Sequence, residues 1–400
     1  MRINIIFWRM FEQVYRLSTK KTKVLILGGG AGGAVVARRL SKWERGEVEV
    51  TIIDKSTYHE FRPSYLWVMT GIREPDDVRR PLKLLEKYGI RVLQAEVSKI
   101  DAANRKVYTS DGASYDYDYL VVSLGSLAGE PPGDSCAPWE LSGALECRKK
   151  LATLRKKEPR VVVGISSWPY RCPPAPFEVA SLVKYVLEQR GLSPRITVFH
   201  EWSVPMEPFG PLMSSMFREM LNDFKIEYVG NAKFESIDSE SKTIRTSRGE
   251  FRYDLAIIVP PHQPPQPIAE SDLAGEDGYM DVKLPSMRST KYDDVFGVGD
   301  VVAPRIGLGM AGVFAHFQGE HVASQILDEV RGVFMGEHYN MSGVCVMDLG
   351  YMGAAVYCDF APKLIGGKQW PDCRMIGGAR AFRVVKIAFE KQWFANLFGY

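Results

Sequence analysis

The chain has 400 residues, 46% hydrophobic and 25% charged, the proportions of an ordinary globular protein with material for two or three domains. A formal net charge of +3 without a basic run argues against a nucleic-acid binder, and no apolar stretch is long enough to span a bilayer. The six cysteines form no CxxC pair, which argues against structural zinc, and are too sparse for a disulfide scaffold; they divide into buried fillers and redox-active thiols.

Residues 1–21 combine a short apolar run with Arg9 and Glu12 and lack a small-residue cleavage site, so they read as an amphipathic extension or tail rather than a signal peptide. "KVLILGGGAGGAVVARRLSKW" (23–43) is an apolar strand, a glycine loop and a helix, and "EVEVTIIDK" (47–55) is a second strand ending in an acid. Gly28, Gly30 and Gly33 fit GxGxxG, and Asp54 follows Gly33 by 21 residues, which is the dinucleotide fingerprint in its strand–loop–helix context. Glycines let the backbone approach a pyrophosphate, the helix N-terminus favours its charge, and Asp54 suits a ribose.

Residues 90–126 alternate as short antiparallel strands and close on the buried strand "YLVVSLG". "RVVVGI" (160–165) opens a second α/β unit, followed by the helix "FEVASLVKYVLEQRG" and the strand "RITVFHEW". "KTIRTSRGEFRYDLAIIVPPH" (242–262) repeats the meander-then-strand pattern, "PPHQPPQP" reads as a loop, and "KYDDVFGVGDVV" (291–302) is a strand with a turn. "AGVFAHFQGEHVASQIL" (311–327) reads as a helix. The expected fold is α/β with two Rossmann-like dinucleotide-binding domains in tandem, residues 22–125 with 255–330 forming the first and 126–254 the second.

Placed in this order, the pieces resemble the two-dinucleotide-domain flavoprotein disulfide-reductase superfamily over residues 22–330, with "VFGVGD" (295–300) similar to its second FAD motif. The resemblance implies FAD bound by Gly28, Gly30, Gly33, Asp54, Lys55, Arg62, Val97, Gly125, Gly299 and Asp300. "YHEFRPSYLWVMTG" (58–71) looks like the flavin-side segment of sulfide:quinone oxidoreductases and type II NADH dehydrogenases. The second strand should then open into another glycine loop, but the chain reads "GISSWPYRCPP", with Trp168 and Pro169 filling the pyrophosphate position. NAD binding is therefore not expected. Cys172 followed by Glu178 resembles sulfide:quinone oxidoreductases and the flavoprotein subunit of flavocytochrome c sulfide dehydrogenase.

By that resemblance Cys345 is the partner thiol, in a strand over the flavin, and Cys136 is a third redox cysteine, while Cys147, Cys358 and Cys373 are passive. HS⁻ would attack a Cys172–Cys345 bridge, leaving a persulfide and a thiolate, and electrons would pass through FAD to a quinone. Exchange of this kind calls for an accessible, low-pKa thiol. Pro173 and Pro174 stiffen its loop, and a helix starting near Phe177 helps hold its charge. Glu178 is either a proton acceptor or a helix cap. Two departures stand out: Pro208 in "EPFGP" and Met310 in "LGMAGVFA" replace a histidine and a lysine frequent in the family. His200 is a poor substitute for the former, and His316 and His321 are expected on helix surfaces.

Residues 331–400 are expected to cover the flavin and attach to a membrane. On a helical wheel of 377–400, Phe382, Val385, Phe389 and Trp393 share one face, flanked by Arg383, Lys386 and Glu390, as in an interfacial helix. The resulting expectation is a peripheral, monotopic protein whose partners are sulfide, quinone and a membrane surface, with no nucleic acid and a homo-oligomer left open. Tyr351, Phe382 and Phe389 are candidates to line the quinone site. Three alternatives remain at this stage: a sulfide dehydrogenase flavoprotein donating to cytochrome c, a type II NADH:quinone dehydrogenase, and a non-catalytic flavin-bound sensor.

Overall fold

The computed structural model describes residues 21–333 and 341–399; the amphipathic extension falls almost wholly outside them. β1 (Thr22–Leu27) runs through the glycine turn into α1 (Ala31–Trp43), and β2 (Val48–Asp54) returns parallel to β1. β3 (Arg91–Gln94) adds in parallel to β2, and β4 (Tyr119–Val122) to the other side of β1. The uninterrupted apolar runs of β1 and β4 suit strands covered on both faces, where alternation has no use.

The second sheet repeats the arrangement in reduced form. β5 (Arg160–Ile165) leads to α2 (Ala175–Gln189) and β6 (Arg195–Phe199), and β7 (Ile226–Val229) and β8 (Leu255–Val259) complete a parallel sheet in the order β7–β6–β5–β8. Each unit carries its own three-stranded antiparallel meander, at 97–116 in the first and 234–252 in the second. The chain then returns to the first sheet, where β9 (Val295–Gly297) pairs in parallel with β4. The two crossings between sheets lie side by side, Leu127–Ala128 antiparallel to His262–Gln263. α3 (Gly312–Val330) crosses α1 closely: a Cβ on Gly319 would lie 2.8 Å from the Gly32 carbonyl oxygen.

The C-terminal region is an antiparallel sheet of β10 (Ser342–Asp348), β11 (Gly353–Asp359) and β12 (Asp372–Ala379), followed by α4 (Phe382–Phe398). Two expectations are corrected here. Four of the six cysteines are paired, Cys136 with Cys147 and Cys358 with Cys373, 11 and 15 residues apart in sequence, the second pair directly opposite in the β11–β12 register. α4 also docks the other way round: Lys386, Glu390 and Trp393 face inward and are buried, whereas Val384 and Val385 face out. The inward charges are matched, Lys386 with Glu178, Glu390 with Ser64 and with Arg73 at 3.1 Å, and Arg383 with Asp348 at 2.8 Å. A wheel sorts residues by polarity and takes no account of partners waiting on the body of the protein.

α4 also reaches the glycine turn. Trp393 Nε1–H donates to His59 Nε2 at 2.9 Å, so Nδ1 carries the proton and donates to the Gly29 carbonyl at 2.8 Å. His59 is fully buried, and burial lowers its pKa to about 4. An unfolded histidine titrates near 6.5, so below that value the unfolded chain takes up a proton that the folded chain refuses. His59's contribution to stability is complete above about pH 6.5 and is lost as pH falls toward 4, at up to roughly 1.4 kcal/mol per pH unit. Thermal melts between pH 7 and 5 should show a steeper fall for the wild type than for His59→Gln; equal slopes would place the pH dependence in other groups.

Candidate active site

The first glycine turn is shaped for close approach. Gly28 has φ +96°, and a Cβ on Gly33 would lie 1.9 Å from the Gly28 carbonyl oxygen, so neither position takes a side chain. A Cβ on Gly30 would meet nothing within 4 Å, leaving open space at the N-terminus of α1, where no side chain caps the free N–H groups. Asp54 ends β2 with one oxygen accepting from Gly29 N–H at 2.6 Å and the other from Ser56 N–H at 2.7 Å; burial raises its pKa. A second set of polar groups lies where β4 and β9 end. Gly299 N–H donates to Gln318 Oε1 at 2.7 Å, and the buried Gln318 Nε2 has no partner. Asp300 is half-buried, and burial pushes its carboxyl up against the opposing pull of Arg171 and Arg62. The open cradle, the ribose-type acid and the unpartnered donor fit a dinucleotide such as FAD, which Gly28, Gly30, Gly33, Asp54, Gly299 and Asp300 would hold.

Arg62 and Arg171 converge on one carboxylate. Arg62 Nη1 binds Glu140 at 2.8 and 2.9 Å, Arg171 Nη2 binds Glu140 Oε1, and Arg171 Nε is buried without a partner. Burial alone would raise the Glu140 pKa, but the two guanidinium groups together hold it below the ordinary value. Lys55 is exposed beside Glu96 at 3.5 Å, and Val97 is a core residue opening the first meander.

Cys172 and Cys345 are the free thiols of the chain, both half-buried. Cys172 lies three residues before α2, Cys345 sits in the middle of β10, and each senses the charges of Glu178 and Lys386. Burial pushes the Cys172 thiol well up, with Cys345 and Glu178 adding to the effect and Lys386 opposing it; Cys345 is pushed up to about 12, again mainly by burial. This reverses the low-pKa expectation: a buried site penalises charge more than one helix terminus relieves it. The pair is comfortable as neutral thiols or as a neutral bridge. A lone thiolate is the high-energy species, and Lys386 is the cation beside it. Glu178 is buried in the first turn of α2 but is no cap; it binds Lys386 Nζ and accepts from Asp348 N–H at 2.8 Å.

Other sequence expectations fall elsewhere. Cys136 is buried and bonded to Cys147, with its backbone paired to Ala256 and Ile258 of β8, so it is no free third thiol. His321 is buried against Gln325, and His316 is half-buried with its ring 5.3 Å from Trp393, so neither is a surface histidine. Tyr351 binds Glu188 and packs on Tyr185 and Phe224, while Phe389 packs on Phe61 and Trp393, so the two share no neighbour. Phe382 lies over the backbone at Gly377. His59, Glu140, Arg171 and Gln318 escaped the sequence reading; only Arg171, adjacent to Cys172, had a local signal.

Two α/β sheets in tandem, one with its dinucleotide cradle intact and the other with a thiol where a second cradle would begin, define a flavin-linked oxidoreductase. The chain belongs to the pyridine nucleotide-disulphide oxidoreductase family, whose model matches residues 22–319. It is 25% identical over 391 residues to a sulfide-quinone reductase of Aquifex aeolicus, covering 92% of this chain and 89% of that protein. The solved structure of the sulfide:quinone oxidoreductase from Aquifex aeolicus superposes with a TM-score of 0.82 at 22% identity, over 94% of this chain and 91% of that one. A type II NADH:quinone oxidoreductase of Staphylococcus aureus is 38% identical, but over only 115 residues, 28% of each chain.

The ion pair between Glu178 and Lys386 gives a direct test. Lys386→Met strands a buried carboxylate and should cost about 3–5 kcal/mol in urea unfolding. Adding Glu178→Gln to Lys386→Met should recover most of that loss. An additive double variant would show that the two charges do not act as a pair.

Proposed function

We propose that the protein is an FAD-dependent sulfide:quinone oxidoreductase. The observation that carries this reading is the placement of its two free thiols: Cys172 occupies the turn where a second dinucleotide cradle would begin, and β10 brings Cys345 into electrostatic range of it. Around that turn Trp168, Tyr170, His200 and Trp202 form one ring cluster, with Trp168 and Trp202 centroids 5.4 Å apart and His200 and Trp202 3.9 Å apart. Aromatic rings packed there leave the C-terminal ends of β5 and β6 without the open glycine backbone a pyrophosphate needs. The resemblance to type II NADH dehydrogenases is short, and this turn speaks against it.

The chemistry balances as HS⁻ + H⁺ + quinone → S⁰ + quinol. HS⁻ attacks one sulfur of a Cys172–Cys345 bridge, an S–S bond forms to the substrate sulfur, and the bridge bond breaks to leave the other cysteine as a thiolate. Lys386 lies on that thiolate's side of the charge balance and offsets part of its burial cost. Bound FAD supplies a two-electron acceptor between the thiols and the quinone. Gly28, Gly30, Gly33 and Asp54 would hold its adenosine and pyrophosphate, and Gly299 and Asp300 its flavin side. Tyr351, Phe382 and Phe389 remain candidates for the quinone, of which Phe389 packs on Phe61, within residues 58–71.

The reading includes peripheral attachment to one membrane leaflet. No helix among the described residues is long and apolar enough to cross a membrane. β12 and α4 instead turn outward a set of apolar side chains, Val384 63% exposed, Ile376 55% and Met375 43%, with Val385 beside them. Arg374, Arg380 and Lys391, on or next to these elements, are also exposed and suit anionic headgroups.

Two measurements test these statements. Under anaerobic conditions sulfide should bleach the flavin absorbance and NADH should not; Cys172→Ala and Cys345→Ala should abolish the bleaching, and a soluble quinone should restore colour in the wild type. Bleaching by NADH with the variants unaffected would overturn the reading. Separately, the protein should co-sediment with anionic phospholipid vesicles, and Val384→Asp with Ile376→Asp should reduce binding at least tenfold. Undiminished sedimentation of that double variant would move the attachment to another surface.

A further inference from the structure

Cys172 has a left-handed backbone, φ +62°, a conformation that side chains with a Cβ rarely adopt. Such residues persist where the surroundings over-determine them. Here three consecutive backbone groups are held from three directions. The Arg171 carbonyl accepts from Trp139 Nε1–H at 2.7 Å, Cys172 N–H donates to the Met310 carbonyl at 2.7 Å, and the Pro173 carbonyl accepts from Tyr170 Oη–H at 3.0 Å. Trp139 comes from the crossing between the two sheets, Met310 from the segment before α3, and Tyr170 from the turn itself. Arg171 closes the first clamp reciprocally, its Nη2 donating to the Trp139 carbonyl at 3.1 Å.

Tyr170 is itself aimed. Trp202 N–H donates to His200 Nδ1 at 3.1 Å, which puts the imidazole proton on Nε2. His200 Nε2–H then donates to Tyr170 Oη at 3.1 Å and leaves the Tyr170 hydrogen for the Pro173 carbonyl. Every bond in the relay runs one way, from the end of β6 to the residue after the thiol. Both side chains are wholly removed from water, and burial lowers the His200 pKa to about 3, so it stays neutral and cannot take up the proton of the reaction. Burying a phenol and an imidazole costs more than burying Phe and Leu of similar volume unless they are hydrogen-bonded, as both are here.

We propose that Trp139 and the His200–Tyr170 relay are positioning residues for Cys172, holding it in the left-handed conformation from which it exchanges with Cys345. The proposal rests on the thiol-exchange reading above. It gives His200 a role other than the acid–base one for which sequence position made it a poor candidate.

The test uses Tyr170→Phe, His200→Leu, the double variant and, from the opposite clamp, Trp139→Phe. Two readouts are taken: the rate of sulfide-driven flavin reduction per bound FAD, and the pH midpoint of Cys172 alkylation by iodoacetamide in a Cys345→Ser background. Tyr170→Phe and Trp139→Phe should each slow reduction by about tenfold or more, the scale of a misplaced reacting group, with quinone KM and flavin content unchanged. His200→Leu should match Tyr170→Phe, and the double variant should lose nothing further, since His200 acts through Tyr170. The alkylation midpoint should fall in each variant as the freed turn lets the sulfur reach water. Wild-type rates and an unmoved midpoint would overturn the proposal, as would additive losses in the double variant. Lower flavin content or melting temperature with a normal rate per flavin would also overturn it, because the residues would then be merely structural. If sulfide fails to bleach even the wild type, the proposed activity fails, and the midpoints alone decide the positioning: shifted midpoints support it and unmoved ones overturn it.

Discussion

A lysine and a glutamate 208 residues apart, both removed from water, join the C-terminal helix to the second domain beside the two free thiols. Taking such a pair out of water is expensive, and either charge alone would be untenable. The neighbourhood is therefore built around both. Glu178 takes the Asp348 backbone N–H, Asp348 accepts from Trp67 Nε1 at 3.0 Å and from Arg383, and Lys386 Nζ lies 5.2 Å from the Trp67 ring centroid. Through these bonds α4 cannot shift without exposing or orphaning several charges, so the wall over the thiols is held by electrostatics as much as by apolar packing.

The same helix ties the thiol end of the molecule to the dinucleotide end. Trp393 and His59 connect α4 to the Gly29 carbonyl, in the turn whose shape excludes side chains at Gly28 and Gly33. A single element thus bears on the cradle of the first sheet and on the cysteine turn of the second. The two sheets share one plan, strand, turn, helix, strand and meander, but their first turns differ in chemistry. One keeps open backbone for a phosphate; the other fills the space with rings and clamps a thiol into a left-handed conformation.

The burial of the thiols also sets the direction of the chemistry. Where water is scarce, a neutral bridge and neutral thiols are both favourable resting forms, and a thiolate is favoured by Lys386 and, at Cys172, by the Ala175 backbone N–H. A nucleophile that arrives already charged, such as HS⁻, need not draw its reactivity from the protein. In the proposed reaction the site would receive the displaced charge and keep the sulfurs in register.

What the sequence alone determined lies in short-range pattern. The glycine spacing, the acid at Asp54, the doubled strand–meander order and the thiol at Cys172 in place of a second glycine loop were all legible, because each depends on backbone constraints or periodicity within some thirty residues. Only the tertiary structure decided the partners. Cys136 met Cys147 and Cys358 met Cys373 because the fold placed them opposite one another. Lys386 and Glu390, read as flanking the apolar face of an interfacial helix, turned inward because Glu178, Ser64 and Arg73 stood ready to receive them. His59, Tyr170 and His200 took their roles from single hydrogen bonds to remote or local backbone. Burial and partnership are properties of three-dimensional proximity, and no periodicity in the chain encodes which distant charge or carbonyl a side chain will find.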